Sequence, residues 1–432
     1  MKLVKYMKRK NNLTVSIDET CILSILVCIA FTGILPQTIL SILVLGFICI
    51  LSFRNDLYLV YPIMIFYYAP LGIVFGVSVY RLYTIIFIVM TLIRFKDKLY
   101  FSKRFLAPML IFTLYNVLVM SQYSIQTAFF SLFDIICIIF IINFYLKNYD
   151  NLKAFFRIYV VAALFSFVTG IITNNVNSTG WNFSGQFVEI SRFQATFEDA
   201  NYMGFFFIIA IVGLLTLELF NKKVRVILLV VLTGMILTTL SMTAIIANII
   251  VWSLYLVLTK KITIKTIVNC LILIVFSIIL YHYGLSHRKT PIIGDLSYRI
   301  EDKIKALKIH DYATVTTDRS QLSYLHLNYF MQQGILKQLF GGNLANTYVV
   351  KLGDIRAQAH NDYIDSLLNI GIIGSCIMFG YVFKRTWNVI KKYVSDNSKE
   401  CLFVFLCKCM WLYYLMTLTT FLDFRFMFSL FI

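Results

Sequence analysis

Long apolar runs constrain this chain more than any other feature of its sequence. Thirteen of them lie at roughly residues 20–35, 37–53, 57–76, 80–93, 105–120, 127–146, 154–173, 201–220, 226–240, 242–259, 264–284, 362–383 and 401–421. Many reach the ~17–25 residues that a helix needs to cross a bilayer. Only 14% of the 432 residues are charged, against roughly 25% in a soluble domain. The sequence therefore predicts an all-α polytopic membrane protein with about 12–14 transmembrane helices and one large extracytoplasmic helical loop.

The apolar runs also divide the chain into four parts. Residues 1–173 hold the N-terminal transmembrane helices, and residues 174–284 hold further helices together with a polar loop at 174–200. A large polar loop at 285–361 carries four of the five His residues, and residues 362–432 form the C-terminal helices. The sequence leaves open whether the apolar tail after Arg425 re-enters the membrane.

Basic residues indicate which side of the membrane each loop occupies. Clusters that follow every second crossing hold 25 of the 39 Lys and Arg residues, at the N-terminus, Arg54, 94–104, 147–157, 222–225, 260–265 and 384–399. Positive charge near membrane ends stays cytoplasmic. The N-terminus is therefore expected inside, and the loops at 174–200 and 285–361 outside. Because the net charge of +18 mostly reflects this topology, nucleic acid is not expected as a partner.

Cysteine usage and the absence of common motifs exclude several classes of enzyme. The nine Cys lie mostly inside apolar runs and outside both polar loops, which indicates neither disulfides nor a thiol nucleophile. The sequence has no G-x-S-x-G elbow, no H-E-x-x-H, no Walker loop and no D-x-D carboxylate pair. We therefore expect no cofactor and no metal site. Any phosphate bound outside has to be neutralised by Arg and Lys.

The first polar loop contains a candidate anion site. Arg192 precedes a helix that begins near Asn201, so its guanidinium is expected beside free backbone N–H groups. Both kinds of group favour an oxyanion such as phosphate. The alternative is an arginine that only extends its side chain to the lipid headgroups.

The large loop begins with a basic amphipathic stretch at 297–308. Its apolar residues share one helical face, and Arg299 and Lys303 are among the basic residues around that face. This pattern is typical of a helix on an anionic membrane surface, and lipid headgroups alone would explain it. A second helix is expected to start near Arg319, ahead of a turn at Phe340-Gly341-Gly342.

His360 lies at the mouth of the crossing that follows the large loop. The positive end of a helix dipole favours neutral imidazole, which can accept a proton. Asp362 and Asp365, in the same first turn, push the pKa the other way, so the sequence leaves the sign of the shift open. A boundary His that only forms hydrogen bonds is the plainer alternative.

Two carboxylates, Asp134 and Glu218, lie within apolar runs. Glu218 is near the cytoplasmic end of its run and is interpreted as structural. Asp134 keeps a second class of function open, because ionisable residues inside the membrane are typical of transporters.

The order and spacing of these features resemble the O-antigen ligase/polymerase family of bacterial surface-polysaccharide assembly. Members have many crossings, an Arg before an Asn-led helix in one outer loop, and a larger outer loop with an Arg-led helix. A Phe-Gly turn and a His-Asn pair that opens the next crossing then follow. In this chain the elements are Arg192 with Asn201, Arg319, Phe340-Gly341-Gly342 and His360-Asn361.

The chain departs from the family pattern at three places. Ala195 and Ala200 stand where members often have Gly and Pro, and Ser241-Met242 stands where members often have Ser-Arg. These departures bear on the subfamily more than on the family.

The resemblance implies glycosyl transfer at the outer face of the bacterial cytoplasmic membrane. The donor would be a glycan on undecaprenyl pyrophosphate. In a polymerase of O-antigen, capsule or exopolysaccharide the acceptor is another lipid-linked repeat unit, whereas in a ligase it is lipid A-core. We expect a polymerase, with a ligase or a flippase of lipid-linked glycan as alternatives. Membrane lipids and a chain-length regulator are the further partners.

The resemblance also implies roles for particular residues. Arg192 and Arg319 would hold the pyrophosphate and stabilise its charge as the glycosidic bond breaks. His360 would orient or deprotonate the acceptor hydroxyl, and attack from the opposite ring face would invert the anomeric centre. Further candidates for binding the substrate are Arg299, Lys303, Arg356, Tyr324, Asn201 and Asn361.

Overall fold

The described chain is predominantly helical, with three short antiparallel hairpins between helices. Apart from scattered residues before 35, near 110, and at 275 and 290, the computed structural model describes residues 35–54, 56–74, 76–96, 125–183, 186–260, 277–287, 292–316, 319–342, 350–352, 355–357, 359–418 and 423–432. The predicted apolar runs at 20–35, 105–120 and 264–284 lie largely outside these residues.

The helices and strands follow the apolar runs and the polar loops in turn. The N-terminal part contains α1 Gln37–Ser52, a 3-10 helix Leu57–Val60, α2 Tyr61–Phe66, β1 Ile73–Val74, β2 Val77–Ser78, α3 Val79–Phe95, α4 Ile125–Phe140 with a π-helical turn Ile141–Tyr145, and α5 Tyr149–Ile172. The middle part contains β3 Val176–Phe183, β4 Gln186–Phe193, α6 Ala200–Thr216, α7 Lys222–Thr238 and α8 Met242–Leu258. The last part contains α9 Ile293–Lys308, α10 Tyr312–Thr316, α11 Arg319–Met331, α12 Ile335–Phe340, β5 Val350–Leu352, β6 Ile355–Ala357, α13 Asp362–Asp396, α14 Lys399–Leu415 and α15 Phe424–Phe431.

Short polar side chains mark where many of the helices start. The residues before α3, α5, α6, α7, α8, α13, α14 and α15 each accept a backbone N–H from the first helical turn; they are Ser78, Asn148, Asp199, Asn221, Ser241, Asn361, Ser398 and Asp423. These N–H groups have no partner within the helix, so each cap contributes about 1 kcal/mol. The starts of these helices are therefore set by local sequence.

Two described helices, α5 and α13, are long and apolar enough to cross a membrane. Other apolar helices, including α6 and α8, have between 10 and 17 residues. The apolar run at 57–76 does not form a single helix, because α2 ends at Phe66 and a hairpin follows. Pro70 lacks an N–H, and Gly72 has a φ of 64°, so neither continues a helix.

Helix α6 is the centre of the described core. Every residue of α6 except Tyr202 is buried, and the helix packs against α5, α7, α8 and α14. A helix that is apolar on all sides is stable only when other elements surround it. The N-terminus of α6 is consequently held in a fixed position, and this is the end that carries Asp199 and Asn201.

The C-terminal tail packs into the same core. In α15, Phe426 and Phe428 are at most 2% exposed. The ring of Phe428 stacks on Phe155 of α5 with centroids 5.2 Å apart, and the ring of Phe426 lies 4.6 Å from Phe205 of α6. The tail thus fills a space between helices that are made much earlier in the chain.

Two glycines let the turn after α12 lie against a break in α13. Gly371 interrupts the helical conformation of α13 with a φ of 67°, and Gly341 has a φ of 80°. A Cβ on Gly371 would lie 2.4 Å from the carbonyl group of Leu339, and one on Gly341 would lie 2.2 Å from the Asn369 carbonyl oxygen. Only glycine permits this close backbone contact, which holds the 340–342 turn beside the start of α13.

We predict that Gly371→Ala lowers the stability of the folded protein markedly. The left-handed conformation costs an alanine roughly 1–2 kcal/mol, and the collision with the Leu339 backbone adds to that cost. The test is the thermal midpoint of the detergent-purified protein. It is measured as the temperature at which heating halves the monodisperse peak in size-exclusion chromatography. Gly380→Ala in the same helix is the matched control, because nothing lies within 4 Å of its added Cβ. Equal midpoints for the two variants would contradict the packing described for Gly371.

Candidate active site

Arg192 reaches the site from the end of strand β4. The β3–β4 hairpin pairs it with Asn177 and brings it beside α6 and the turn between α7 and α8. Its Nε donates to the carbonyl oxygen of Thr239 at 3.3 Å, and its Nη2 donates to Oδ1 of Asn201 at 3.3 Å. The guanidinium is thus oriented by two neutral acceptors from different helices.

Asn201 links Arg192 to the cap of α6 and to the next helix. Its Nδ2 donates to the Asp199 carboxylate at 2.7 Å, and that carboxylate also accepts the Asn201 backbone N–H at 2.6 Å. The Oδ1 of Asn201 accepts from the Ser241 hydroxyl at 2.5 Å. Because each polar atom of the amide has a partner, the side chain holds one orientation.

Two further arginines donate to the same short segment between α7 and α8. Arg299 of α9 donates to the carbonyl oxygen of Leu240. Arg319, at the start of α11, donates from Nη1 to the Thr243 hydroxyl at 3.3 Å. We call residues 239–243 the arginine turn, since three guanidinium groups from three separate elements meet on it.

The three arginines carry more positive charge than the nearby carboxylates balance. Burial and then the neighbouring charges of Arg192 and Arg319 lower the pKa of Arg299, with Asp295 acting in the opposite direction, to about 10 in all. Burial also lowers the pKa of Arg192 and of Arg319, and Asp199 partly offsets the shift in both. Arginine remains protonated at neutral pH despite such shifts. The cluster therefore presents a positive potential to an anion.

His360 is exposed, and it lies close enough to Arg319 and Asp199 for their charges to affect its pKa, which is lowered. Removal of water by the surrounding protein is the largest cause, the charge of Arg319 is the next, and His326 adds to both, while Asp199 acts in the opposite direction. The residue has a φ of 50° and directly precedes the cap of α13. The sequence left open whether the pKa of His360 is raised or lowered, and in the structure it is lowered. The imidazole is therefore neutral at neutral pH and able to accept a proton.

A cavity of about 400 Å³ opens at Arg319. Thr243 and Lys303 form part of its polar wall, while Ile246 and Met416 form part of its apolar wall. The amine of Lys303 donates to the backbone carbonyls of Thr314 and Val315 at 3.0 and 2.6 Å. A cavity with a cationic end and an apolar end suits an anionic amphiphile.

The other predicted binding residues lie in different surroundings. Asn361 caps α13, where its side chain accepts the N–H groups of Tyr363 and Ile364. Tyr324 is 63% exposed on α11. Arg356 lies in β6, and its side chain is outside the described part of the chain.

The structure adds three residues to the site that the sequence did not single out for chemistry, namely Asp199, Ser241 and Thr243. Asp199 is two positions before Asn201, which is a helix-capping pattern that the sequence does contain. Ser241 was noted only as a departure from the family, although it caps α8 and also donates to Asn201. Thr243 carries no sequence signal, because its role depends on contact with a residue 76 positions away.

No protein-family model matches the chain, and a search of curated proteins finds no match either. The interpretation of the site therefore rests on its own geometry and on the family resemblance of its motifs.

We predict that Arg319→Gln raises the pKa of His360, since the substitution removes the positive charge that disfavours imidazolium. Diethylpyrocarbonate modifies only neutral imidazole, so the rate at His360, followed by mass spectrometry across a pH series, reports this pKa. Wild type should reach its half-maximal rate below pH 6.5, and the variant at a higher pH. Arg157→Gln, which removes a guanidinium that binds the Leu219 carbonyl, should leave the His360 curve unchanged. A curve that moves to lower pH in Arg319→Gln contradicts the prediction.

Proposed function

We propose that the protein is a polymerase of lipid-linked oligosaccharide repeat units, acting in the bacterial cytoplasmic membrane. The observation that carries this proposal is the convergence of Arg192, Arg299 and Arg319 on the arginine turn, with His360 beside them. A pyrophosphate needs several oriented cations, and a glycosyl transfer needs a group that takes a proton from the acceptor. Arg192, Arg319 and His360 stand at places that correspond to motifs of the O-antigen ligase/polymerase family, which the sequence resembles.

The arginines act on the leaving group of the donor. Arg192 and Arg319 bind the pyrophosphate oxygens, and Arg299 adds to the positive potential from behind the arginine turn. When the bond between the anomeric carbon and the pyrophosphate oxygen breaks, its electron pair stays on undecaprenyl pyrophosphate. The guanidinium groups are already fixed by carbonyl, amide and hydroxyl acceptors, so little reorganisation is needed as this charge develops.

His360 acts on the acceptor. Its neutral imidazole takes the proton of a sugar hydroxyl on a second lipid-linked unit, and the oxygen of that hydroxyl attacks the anomeric carbon. Attack on the ring face opposite the pyrophosphate inverts the configuration. The products are a glycan longer by one unit on one lipid and a free undecaprenyl pyrophosphate, with the proton on His360.

The surface of the described helices supports a membrane location, and the apolar runs of the sequence predict about 12–14 crossings. Large apolar side chains are exposed along several helices, among them Val226, Ile227 and Val230 on α7 and Ile249 and Val257 on α8. Contiguous apolar surface of this kind is unfavourable in water and is satisfied by lipid. The N-terminus is placed in the cytoplasm, and the candidate active site outside.

Two alternative functions share parts of this site. A ligase would use the same arginines and His360 but transfer the glycan to lipid A-core. A flippase or transporter is favoured by a different observation, the burial of Asp134 with one carboxylate oxygen lacking a hydrogen-bond partner among the described residues. A transporter leaves the three arginines of the arginine turn and His360 without a role, whereas a ligase shares them and differs from a polymerase only in its acceptor.

We predict that Arg192→Ala, Arg319→Ala and His360→Ala each abolish the long glycan ladder of a complemented deletion strain. Loss of one preorganised charge-stabilising group costs roughly 10²–10³ in rate, and loss of a general base costs roughly 10²–10⁴. The measurement is glycan length on gels at matched membrane levels of each protein. Arg157→Ala serves as the matched arginine control and should retain the ladder.

Each alternative gives a different pattern in that experiment. A polymerase leaves a single attached repeat unit in the deletion and in the three variants. Loss of all attached glycan with long lipid-linked chains accumulating indicates a ligase. Repeat units trapped on the inner face of the membrane indicate a flippase. A normal ladder in all three variants removes the active-site assignment.

We predict opposite labelling of two exposed positions by a membrane-impermeant maleimide on intact cells from which any outer layer has been stripped. Gln332→Cys, at the end of α11, should be labelled from outside. Ser395→Cys, at the end of α13, should be labelled only after the cells are lysed. Both residues are exposed, and the parent chain gives the background from native cysteines. Labelling of Ser395→Cys in intact cells would falsify the proposed orientation.

A further inference from the structure

A second cavity of about 520 Å³ is lined in part by the segment that joins Arg192 to α6. We propose that it binds neutral sugar residues of the saccharide substrate, as a recognition site separate from the pyrophosphate site. This inference rests on the proposed function and specifies which part of the substrate the second site takes. Its volume is within the ~300–1,000 Å³ typical of small-molecule sites.

The cavity is physically joined to the candidate active site. Residues Gln194 to Glu198 form one wall, and this five-residue segment lies between Arg192 and the Asp199 cap. Asn175 holds this segment in place, because its Nδ2 donates to the carbonyl oxygens of Ala195 and Phe197 at 2.8 and 3.1 Å. This wall of the cavity therefore lies close in the chain to Asp199, whose charge acts on His360.

The lining has the composition of a carbohydrate site and lacks that of a phosphate site. Gln37, Asn175, Gln194 and Glu198 are among its lining residues, and none of the described lining residues is Lys or Arg. The amide nitrogens of Gln37 and Asn175 donate to backbone carbonyls of the protein. Amides donate and accept, and a carboxylate accepts, which suits adjacent sugar hydroxyls. The carboxylate and the lack of cations disfavour a phosphate group. Pro70 and Leu35 supply apolar surface for the C–H face of a ring.

Gln194 is the residue best placed to contact a ligand. It is 6% exposed, and no described residue forms a hydrogen bond with its side-chain amide. A largely buried amide that faces a cavity without a protein partner is costly unless a ligand or water satisfies it. A sugar hydroxyl is a partner of the required kind.

Glu198 is held in place by the C-terminal tail. Both terminal nitrogens of Arg425 donate to its Oε2 at 3.2 Å, and Arg425 in turn binds Asp423 at 2.7 Å. Arg425 is buried, while the Glu198 side chain is 50% exposed. One carboxylate oxygen is thus fixed by the protein, and the carboxylate is presented at the rim of the cavity.

The test uses two probes: the lipid-linked repeat unit from the source strain, and the oligosaccharide freed from it by mild acid, which lacks phosphate and lipid. The variants are Gln194→Leu, which keeps the volume but removes the amide, and Glu198→Gln, which keeps an acceptor for Arg425 but removes the charge. Gln332→Leu is the exposed control, and Arg319→Ala is the control for the pyrophosphate site. Thermal midpoints of all four variants establish that each is folded.

We expect Gln194→Leu and Glu198→Gln to weaken binding of the freed oligosaccharide, followed by saturation-transfer NMR, by about tenfold or more. Both should raise KM for the lipid-linked unit by a similar factor and leave kcat within about twofold, because uniform binding is lost while the catalytic groups are intact. Arg319→Ala should bind the freed oligosaccharide as wild type does, although its turnover is lost.

Two results overturn the inference. One is that wild type, Gln194→Leu and Glu198→Gln bind the freed oligosaccharide with equal affinity, or that wild type shows no saturable binding of it. The other is a loss of kcat without a change in KM, which would assign Gln194 a structural role. Failure of the proposed function looks different: saccharide binding still depends on Gln194, but the deletion strain keeps its glycan ladder.

Discussion

Three guanidinium groups of like charge donate to the arginine turn, and they repel one another. The neighbouring polar groups of the site have to offset this repulsion. The carbonyl oxygens of Thr239 and Leu240, the Thr243 hydroxyl and the Asn201 amide offset this repulsion with dipoles, and Asp199 supplies one full negative charge. The balance among these groups remains positive, so an anion bound at the arginine turn would reduce the repulsion.

Local sequence patterns predicted much of the described helical structure. The run at 201–220 corresponds to α6 Ala200–Thr216, and the run at 242–259 to α8 Met242–Leu258. The helix expected near Arg319 begins at that residue. These predictions succeed because apolar periodicity and capping side chains act over a few neighbouring residues. The number of crossings beyond α5 and α13 stays a prediction, as does the chemistry of the site.

Contacts between distant segments account for what the sequence could not reveal. Nothing local marks 239–243 as the meeting point of three arginines, since they come from β4, α9 and α11. The break in α13 at Gly371 is visible only with the Leu339 backbone beside it. Ala195 has a φ of 52°, a left-handed conformation that glycine adopts without a steric cost. The sequence shows that Ala195 stands where the family it resembles often has Gly, but the positive φ at this position is visible only in the structure.

The burial of α15 determines when the core around it can be completed during biosynthesis. Its aromatic side chains complete the packing around α4, α5 and α6, and Arg425 pairs with Glu198, a residue 227 positions earlier. Arg425 is made 227 residues after Glu198, so the wall that contains Glu198 gains this ionic partner only after all the intervening segments have been made. Folding of the earlier helices and completion of this wall are therefore separate steps.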